Sequence, residues 1–390
     1  MQSRMSAIGA RLSRRLPAGG VERSVAVLVG STAVGQGLAM LAQPIVTRLY
    51  GPDSFGTLAI FTSIVSILAV LASLRYELAI PLPKDEESAA SLLALSLGLI
   101  VVVVSVVGLI AWFAGERLFA WAGYSALTPY RWLIPIGLLM AGLYQALNAW
   151  AIRREAYSRV ARTQLTQSLS QLATQVVLGV ARLGALGLLI GRVVGFGGGS
   201  TSLAALALRE DRHHPRRVTW TRLRDVASRY RRFPLLSSWS SLLNSVGLEL
   251  PALFLAAFYG TQITGWFALG QRVVAAPMTL VGRSVSQVYV GEASRLLRED
   301  PGGLRGLFVS TVRRLVLLGS GPIIALGVVA PWVFGWVFGS DWTEAGRYVQ
   351  ALSPMFLLQF IVSPLSGTVD VLEPQDLHLL NEALRSAFRS

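Results

Sequence analysis

Two arginines lie within a long apolar stretch of the chain, Phe267 to Val290. Charged side chains are costly inside a bilayer and normally face a partner or a water-filled cavity. Arg272 and Arg283 are eleven residues apart, and at about 3.6 residues per helical turn their side chains return to within about 20° of each other. Gln287 lies four residues after Arg283 and extends the same face. This polar stripe predicts a cavity wall that binds an anionic diphosphate or acidic sugar, unless one arginine reaches the membrane surface and the other pairs locally.

Further polar residues within apolar stretches are candidates for the same cavity. Gln271 directly precedes the first of these arginines. Glu249 lies in the preceding apolar stretch, where it could pair with an arginine such as Arg182 or titrate during ion-coupled transport. Gln36 and Gln43 are seven residues apart and share a helix face. They could contact sugar hydroxyls or form hydrogen bonds between helices.

Three charged residues at the ends of apolar stretches are candidates for gating or for the membrane interface. Arg75 and Glu77 lie at the end of the second stretch, where an interfacial ion pair is the simplest interpretation. Arg48 lies between the first and second stretches.

The sequence predicts no metal site, no cofactor and no catalytic residue. The chain has no cysteine, which excludes disulfides and thiolate ligands. Its three histidines, at positions 213, 214 and 378, all lie outside the apolar stretches. A buried histidine site is therefore not expected, and we predict that the protein is not an enzyme.

Composition indicates a membrane protein. Of the 390 residues, 53% are hydrophobic and only 14% are charged, whereas soluble proteins carry about 25% charged residues. The formal net charge is +14, and the basic residues lie between the apolar stretches without the aromatic interleaving of a nucleic-acid site. We therefore expect a membrane partner and no nucleic acid.

Ten stretches reach the length of about 20 apolar residues that a bilayer-spanning helix requires. They lie near residues 25–47, 57–80, 89–113, 131–151, 165–189, 192–208, 235–258, 266–290, 311–333 and 345–366. Arginines concentrate in alternate gaps between them, which places those gaps and the N-terminus in the cytoplasm. The predicted fold is all-α, with about ten transmembrane helices, in the cytoplasmic (inner) membrane.

A short motif occurs twice between predicted spans. Tyr50-Gly51 is followed by Gly56 and Ala59, and Tyr259-Gly260 is followed by Gly265 and Ala268 at the same spacing. Glycine suits such turns because it adopts positive φ without strain. The recurrence indicates an internal duplication with both turns on the same, outer side of the membrane.

The duplication divides the chain into two pseudo-repeated bundles of six and four helices. We expect a basic cytoplasmic N-terminus (1–23), a first six-helix bundle (24–208), a basic cytoplasmic linker (209–234), a second bundle of four helices (235–366) and a polar tail (367–390). By comparison with the first bundle, the second is incomplete by two helices.

Four glycines recur at every fourth position around the fifth and sixth predicted spans: Gly187, Gly191, Gly195 and Gly199. Small residues at this spacing allow helices to approach closely. The triple glycine at 197–199 is not a phosphate-binding loop, since no Gly-Lys-Ser/Thr follows it. Close helix packing is the favoured interpretation.

Several stretches together resemble the Wzx-type polysaccharide (O-antigen) flippases of the multidrug/oligosaccharidyl-lipid/polysaccharide exporter superfamily. They are residues 44–56, 73–83, 271–277, 286–293, 341–348, 353–354 and 363–366. The resemblance covers residues 24 to about 380. It implies that the chain lacks the last two helices of the family. It implies two helical bundles around a central cavity.

The resemblance also implies that undecaprenyl-diphosphate-linked oligosaccharide, an O-antigen or exopolysaccharide repeat unit, is flipped between leaflets by alternating access. Lipid-linked oligosaccharide, membrane lipid and other polysaccharide assembly proteins are then the expected partners. The alternatives are an exporter of lipid II or a drug on the same fold, or a membrane-embedded polysaccharide polymerase or glycosyltransferase.

Overall fold

A computed structural model describes Gly30 and residues 34–210, 219–299 and 303–365 of the chain. These residues form helices joined by turns, and the described ranges contain no strand. After a helical segment at 34–41, the α-helices are α1 (Gln43–Leu49), α2 (Pro52–Leu71), α3 (Glu86–Phe113), α4 (Gly115–Trp121), α5 (Leu133–Arg153), α6 (Tyr157–Val180), α7 (Ala185–Gly197), α8 (Ser200–Glu210), α9 (Trp220–Arg229), α10 (Ser238–Tyr259), α11 (Thr261–Glu299), α12 (Leu304–Phe338) and α13 (Thr343–Leu365).

Many of these helices are membrane spans by length and composition. Seven stretches within the described residues qualify: Pro52–Leu71, Glu86–Phe113, Leu133–Arg153, Ala185–Leu208, Phe233–Tyr259, Leu304–Phe338 and Ser340–Leu365. The more polar α11 contains the predicted span 266–290, and α6 overlaps the predicted span 165–189. The first predicted span begins outside the described residues. The chain is therefore a multi-pass membrane protein, and the predicted all-α fold is confirmed.

Contacts divide the chain into two compact units, one up to Ala268 and one from Leu269 onward. In the first unit α5 is central and packs against α2, α3, α6, α7 and α8. The largest fully buried side chains of the first unit include Trp150 on α5 and Phe61 on α2. Helix α10 packs along α2 and belongs to this unit.

The second unit is built on the antiparallel pair α12 and α13. Small residues bring these helices together: a Cβ at Gly346 would lie 2.5 Å from the carbonyl oxygen of Ala330, and a Cβ at Gly327 would lie 2.6 Å from Ser353 Oγ. A buried cluster of Tyr289, Ala293, Leu315 and Leu365 joins α11 to the same pair.

The described part of the predicted linker forms the amphipathic helix α9, which docks on the first unit. Val226 is its buried residue. The Tyr76 hydroxyl donates a hydrogen bond to the carbonyl oxygen of Ala227 at 3.0 Å, and Arg222 pairs with Glu87. We call this end of the first unit the linker end.

The repeated Tyr-Gly motif forms two very short turns. The first turn joins α1 to α2, and the second joins α10 to α11. Gly260 has φ of +86°, as the turn prediction requires, whereas Gly51 is extended with φ of −75°. Only the second turn therefore uses the left-handed conformation of glycine, because Pro52 starts α2 directly after an extended residue.

Candidate functional site

A cavity of about 490 Å³ lies inside the first unit. Its walls come from α2, α5, α6 and α7, with one residue from α10, and extend to the turn that follows α2. The polar lining residues are Ser66, Arg75, Tyr144, Gln145, Gln167, Ser168, Gln171, Arg192 and Ser245. Two of them are cations, and this described lining includes no carboxylate. The cavity therefore favours an anion that also carries hydroxyl groups.

Arg192 projects from α7, where its guanidinium is held on two sides. The guanidinium carbon lies 4.4 Å from the centroid of the Phe196 ring, one helical turn further on. Nη1 donates a hydrogen bond to Gln171 Oε1 at 3.3 Å. Stacking and an amide partner fix the plane of the guanidinium. The arginine is thereby oriented to meet an anionic group.

The glycine stripe of α7 positions Arg192 against the glutamines of α6. A Cβ at Gly195 would lie 2.5 Å from Gln171 Oε1, and a Cβ at Gly191 would lie 2.4 Å from Gln175 Cγ. Gln167 Nε2 in turn donates to the carbonyl oxygen of Phe196 at 3.3 Å. The close packing predicted from the spacing of the glycines is confirmed, and it lets α6 reach the backbone of α7.

Arg75 lies at the linker end of the cavity in a left-handed conformation, with φ of +62°. Its Nη1 is 3.5 Å from Glu77 Oε1, and Glu77 also accepts a hydrogen bond from Ser73. The predicted ion pair is present. Nε of Arg75 and Oε1 of Gln145 are buried without a hydrogen-bond partner within the described structure, so both can bind a polar cargo.

Glu249 of α10 hydrogen-bonds to α2. The hydroxyl of Ser63 donates to Glu249 Oε2 at 2.6 Å, and Ser63 is buried. The structure thus gives Glu249 a hydroxyl partner instead of the arginine expected from the sequence. Arg182 is exposed at the end of α6.

At the end of α2 far from the cavity, α2 crosses α11 at backbone distance. A Cβ at Gly56 would overlap the carbonyl oxygen of Thr261, and a Cβ at Gly265 would overlap the carbonyl oxygen of Pro52. Thr261 Oγ1 also donates to Asp53 Oδ1 at 2.7 Å. We call this contact the glycine crossing and this end of the unit the crossing end.

A second contact joins α10 to the first bundle at the crossing end. A Cβ at Gly123 would lie 2.8 Å from the carbonyl oxygen of Ala257, and the Tyr124 hydroxyl donates to the carbonyl oxygen of Leu253 at 3.2 Å. Nine positions along α2 separate Gly56 from Val65, the first residue of that helix in the cavity wall, a distance of about 14 Å at 1.5 Å per residue. The unit is thus closely packed at one end and hollow toward the other.

A family model described as "Polysaccharide biosynthesis protein" matches residues 45–347. The chain belongs to this family. The matched range contains the cavity and both turns of the glycine crossing. Among curated proteins, none matches the chain.

Solved structures of MATE transporters share the fold of this polysaccharide biosynthesis protein. A MATE protein in complex with MaD3S has a TM-score of 0.54 at 16% identity, over 91% of this chain and 83% of that chain. An outward-facing multidrug resistance MATE family transporter of the MOP superfamily has a TM-score of 0.50 at 15% identity, with the same coverage. At such identities the likeness establishes the fold alone.

The remaining predicted site residues of this family member lie elsewhere. Arg48 is exposed and Gln36 is half-buried. Gln43 is buried, and its Nε2 has no hydrogen-bond partner in the described part of the chain. On α11, Arg272 is exposed and Gln271 is half-buried.

The side chains of Arg283 and Gln287 lie outside the described residues. The polar stripe on α11 therefore stays a prediction. The described cavity contains two other arginines, Arg75 and Arg192.

The sequence prediction missed Arg192, Tyr144 and Gln171 as cavity residues. Arg192 was placed at a boundary between two predicted spans, whereas the structure puts it well inside the apolar stretch Ala185–Leu208. The signal was present: an arginine surrounded by glycine, leucine and valine is as costly as those on α11. Placing the boundary at the glycine of positive φ, Gly184, would have revealed it.

Proposed function

We propose that this protein flips undecaprenyl-diphosphate-linked oligosaccharide across the cytoplasmic membrane by alternating access. The observation that carries the proposal is the cavity of the first unit, which combines two arginines with amide and hydroxyl groups and has no carboxylate in its described lining. Membership of the polysaccharide biosynthesis family and the transporter fold support the same proposal.

The chemistry of the lining matches the two polar parts of such a cargo. A diphosphate needs fixed cations, and a guanidinium presents paired donors to its oxygens. Sugars need neutral groups that donate and accept, which Gln145, Gln167 and Tyr144 supply. The lipid tail needs no cavity, because it stays in the bilayer as the headgroup crosses.

The direction of transport follows from the orientation proposed for the chain. With the N-terminus in the cytoplasm, the linker end faces the cytoplasm and the crossing end faces the periplasm. The structure then corresponds to a state that is closed to the periplasm and can load cargo from the cytoplasmic leaflet. Transport requires the crossing end to open.

Two rival functions make different demands on the site. A cationic drug would need a carboxylate or an aromatic cage, whereas the described lining has two arginines. A polymerase or glycosyltransferase would need a catalytic acid, base or metal within reach of the sugar. Among the described carboxylates, Glu77 contacts the lining through its ion pair with Arg75 at 3.5 Å, and Glu249 accepts a hydrogen bond from Ser63 of the neighbouring turn of α2.

Replacement of Arg192 tests the proposal. We expect Arg192→Ala to slow flipping at least tenfold, and Arg192→Lys to give an intermediate rate because lysine keeps the charge but loses the planar fork. The measurement uses purified protein in vesicles that contain undecaprenyl-diphosphate-linked oligosaccharide. A glycosidase added outside reports the fraction of sugar exposed on the outer leaflet over time.

A matched control is Arg347→Ala, which removes an exposed arginine that pairs with Glu344 at 2.6 Å. This variant should flip at the wild-type rate. If Arg192→Ala and Arg75→Ala both flip as fast as wild type, the described cavity is not the cargo site. The same vesicle assay of Arg272→Ala tests the polar stripe on α11. In cells, we expect a variant that cannot flip the cargo to lose surface polysaccharide while its protein level stays normal.

A further inference from the structure

The two Tyr-Gly motifs contact each other through equivalent atoms. Residues 52 and 261 occupy the same place in the motif, as do residues 56 and 265, because both pairs are separated by 209 positions (261−52 and 265−56). Gly56 lies against the backbone of Thr261, and Gly265 lies against the backbone of Pro52. Exchanging the motifs leaves the contact unchanged, as a local twofold axis requires. The duplication seen in the sequence has therefore produced a self-complementary contact.

Glycine is required because the helices meet at their backbones. Any side chain at Gly56 or Gly265 would have to displace a carbonyl oxygen of the facing helix, and a backbone cannot yield as a side-chain end can. Helices in such contact leave no room between them for a sugar or a chain of water molecules. The two helices must separate before anything can pass between them.

Asp53 and Thr261 add a polar link at the edge of the same contact. Their hydrogen bond, 2.7 Å between Oγ1 and Oδ1, joins the first turn of α2 to the first turn of α11. Asp53 is exposed and Thr261 is half-buried there, so water can replace the bond when the helices part. Such a link holds the closed state without making it permanent.

We infer that the glycine crossing is the gate on the periplasmic side, with the Asp53–Thr261 hydrogen bond as its latch. The inference rests on the proposed function, because it names the contact that must open for cargo to leave the cavity. It places the moving boundary between α2 and α11, at the duplicated motif, and keeps the α6–α7 packing of the cavity wall unchanged.

Cysteine cross-linking tests the gate directly, since the natural chain has no cysteine and gives no background. Asp53→Cys with Thr261→Cys should form a disulfide in oxidised membranes, detected as a linked peptide pair by mass spectrometry. Flipping should stop on oxidation and return on reduction. The matched control is Gly108→Cys with Pro135→Cys within the first bundle, where a Cβ at 108 would lie 3.6 Å from Pro135 Cβ. That separation suits a disulfide, and this pair should cross-link without stopping transport.

Two results would overturn the inference. One is a 53–261 disulfide that forms and leaves flipping unchanged. The other is failure of this pair to cross-link under conditions where the 108–135 pair does. In either case the crossing would not be a contact whose opening transport needs.

A second measurement needs no cargo and separates this inference from the proposed function. Ser245→Cys places a single thiol in the cavity, and a membrane-impermeant maleimide reports which face reaches it. We expect labelling from the cytoplasmic face alone in the otherwise natural chain, and at least tenfold more labelling from the periplasmic face when Gly265→Leu is added. If Gly265→Leu leaves the sidedness unchanged, the gate assignment is wrong whatever the cargo. If sidedness changes but undecaprenyl-linked sugar is not flipped, the gate stands and the cargo proposal fails.

Discussion

The glycine crossing and the cavity lie on the same helix, α2, yet they are built from opposite kinds of residue. At the crossing, glycines let α2 and α11 meet at backbone distance. In the cavity, α2 contributes Val65, Ser66, Ala69 and Val70 to a wall completed by long polar side chains from α5, α6 and α7. One region excludes solvent by bringing backbones together, and the other keeps backbones apart.

This difference shows how one span can serve both as a seal and as a wall. Backbone contact is rigid and leaves few intermediate positions, so it suits a boundary that is open or closed. Glutamine, tyrosine and arginine side chains change rotamer readily, so they suit contacts with a flexible cargo. Under the proposed function, the residue types along α2 therefore separate conformational control from recognition.

Adding one methyl group in each region tests whether the glycine crossing is more rigid than the cavity wall. Gly56→Ala pushes against a carbonyl oxygen, whereas Gly195→Ala pushes against the Gln171 side chain, whose Oε1 and Cβ would lie 2.5 and 3.0 Å from the added atom. We expect Gly56→Ala to lower the free energy of unfolding by about 3 kcal/mol through overpacking. Gly195→Ala should change it by less than about 1 kcal/mol, because the glutamine can move and alanine favours the helix. Thermal unfolding in detergent measures both.

Gly98→Ala is the control for helix propensity, since a Cβ there would have nothing within 4 Å. It should be neutral or stabilising by about 1 kcal/mol. Equal destabilisation by Gly56→Ala and Gly195→Ala would show that the two regions do not differ in rigidity, and the distinction drawn here would fail.

The fold was predictable because hydropathy acts over whole spans. A stretch such as Glu86–Phe113 is apolar on every side, and no alternative to a spanning helix satisfies its backbone in lipid. The less apolar α11 was also placed near its observed position, whereas α6 begins at Tyr157, eight residues before its predicted span at 165. Boundaries were less accurate: α2 begins at Pro52, five residues before the predicted span.

The site was predicted only in part, because its chemistry depends on contacts across the chain. The ion pair of Arg75 with Glu77 is local and could be predicted. The hydrogen-bond partner of Glu249 is Ser63, which lies 186 positions earlier in the chain, and no local sequence pattern predicts this contact. The repeat of the Tyr-Gly motif predicted two related turns, but their mutual contact follows only from how α2 and α11 cross.

The Ser63–Glu249 hydrogen bond lies on α2 between the glycine crossing and the cavity. Its removal tests whether the contact between α2 and α10 at this level stabilises the first unit. Ser63→Ala removes a buried donor to a carboxylate, and we expect a loss of about 2 kcal/mol in the free energy of unfolding. Glu249→Gln keeps an acceptor for the same hydroxyl and should cost less, about 1 kcal/mol. Chemical or thermal unfolding in detergent measures both values.

Ser105→Ala is the matched control for the serine change. Ser105 is exposed and its hydroxyl bonds to the carbonyl oxygen of Val101 in its own helix, at 2.8 Å. Its removal should change stability by no more than about 0.5 kcal/mol. If Ser63→Ala is as mild as Ser105→Ala, the contact between α2 and α10 at this level does not contribute to holding the first unit together.

The smallest expected effect is at the linker end, where Asp85 caps α3. Its Oδ2 accepts the backbone N–H of Ser88 at 2.8 Å, and hydrogen bonds from Ser88 and the nearby positive charge of Arg229 hold the pKa of Asp85 below its ordinary value. Asp85→Ala should cost about 1 kcal/mol, and Asp85→Asn should restore most of it because asparagine also caps helices. Because the pKa of Asp85 is lower in the folded state than in the unfolded state, the ionised carboxylate adds to the free energy of unfolding. This contribution is fully present above the unfolded pKa and is lost as the pH falls through the folded pKa. The stability difference between wild type and Asp85→Asn should therefore shrink on acidification below about pH 4; a difference that stays constant there would show that Asp85 acts through its shape alone.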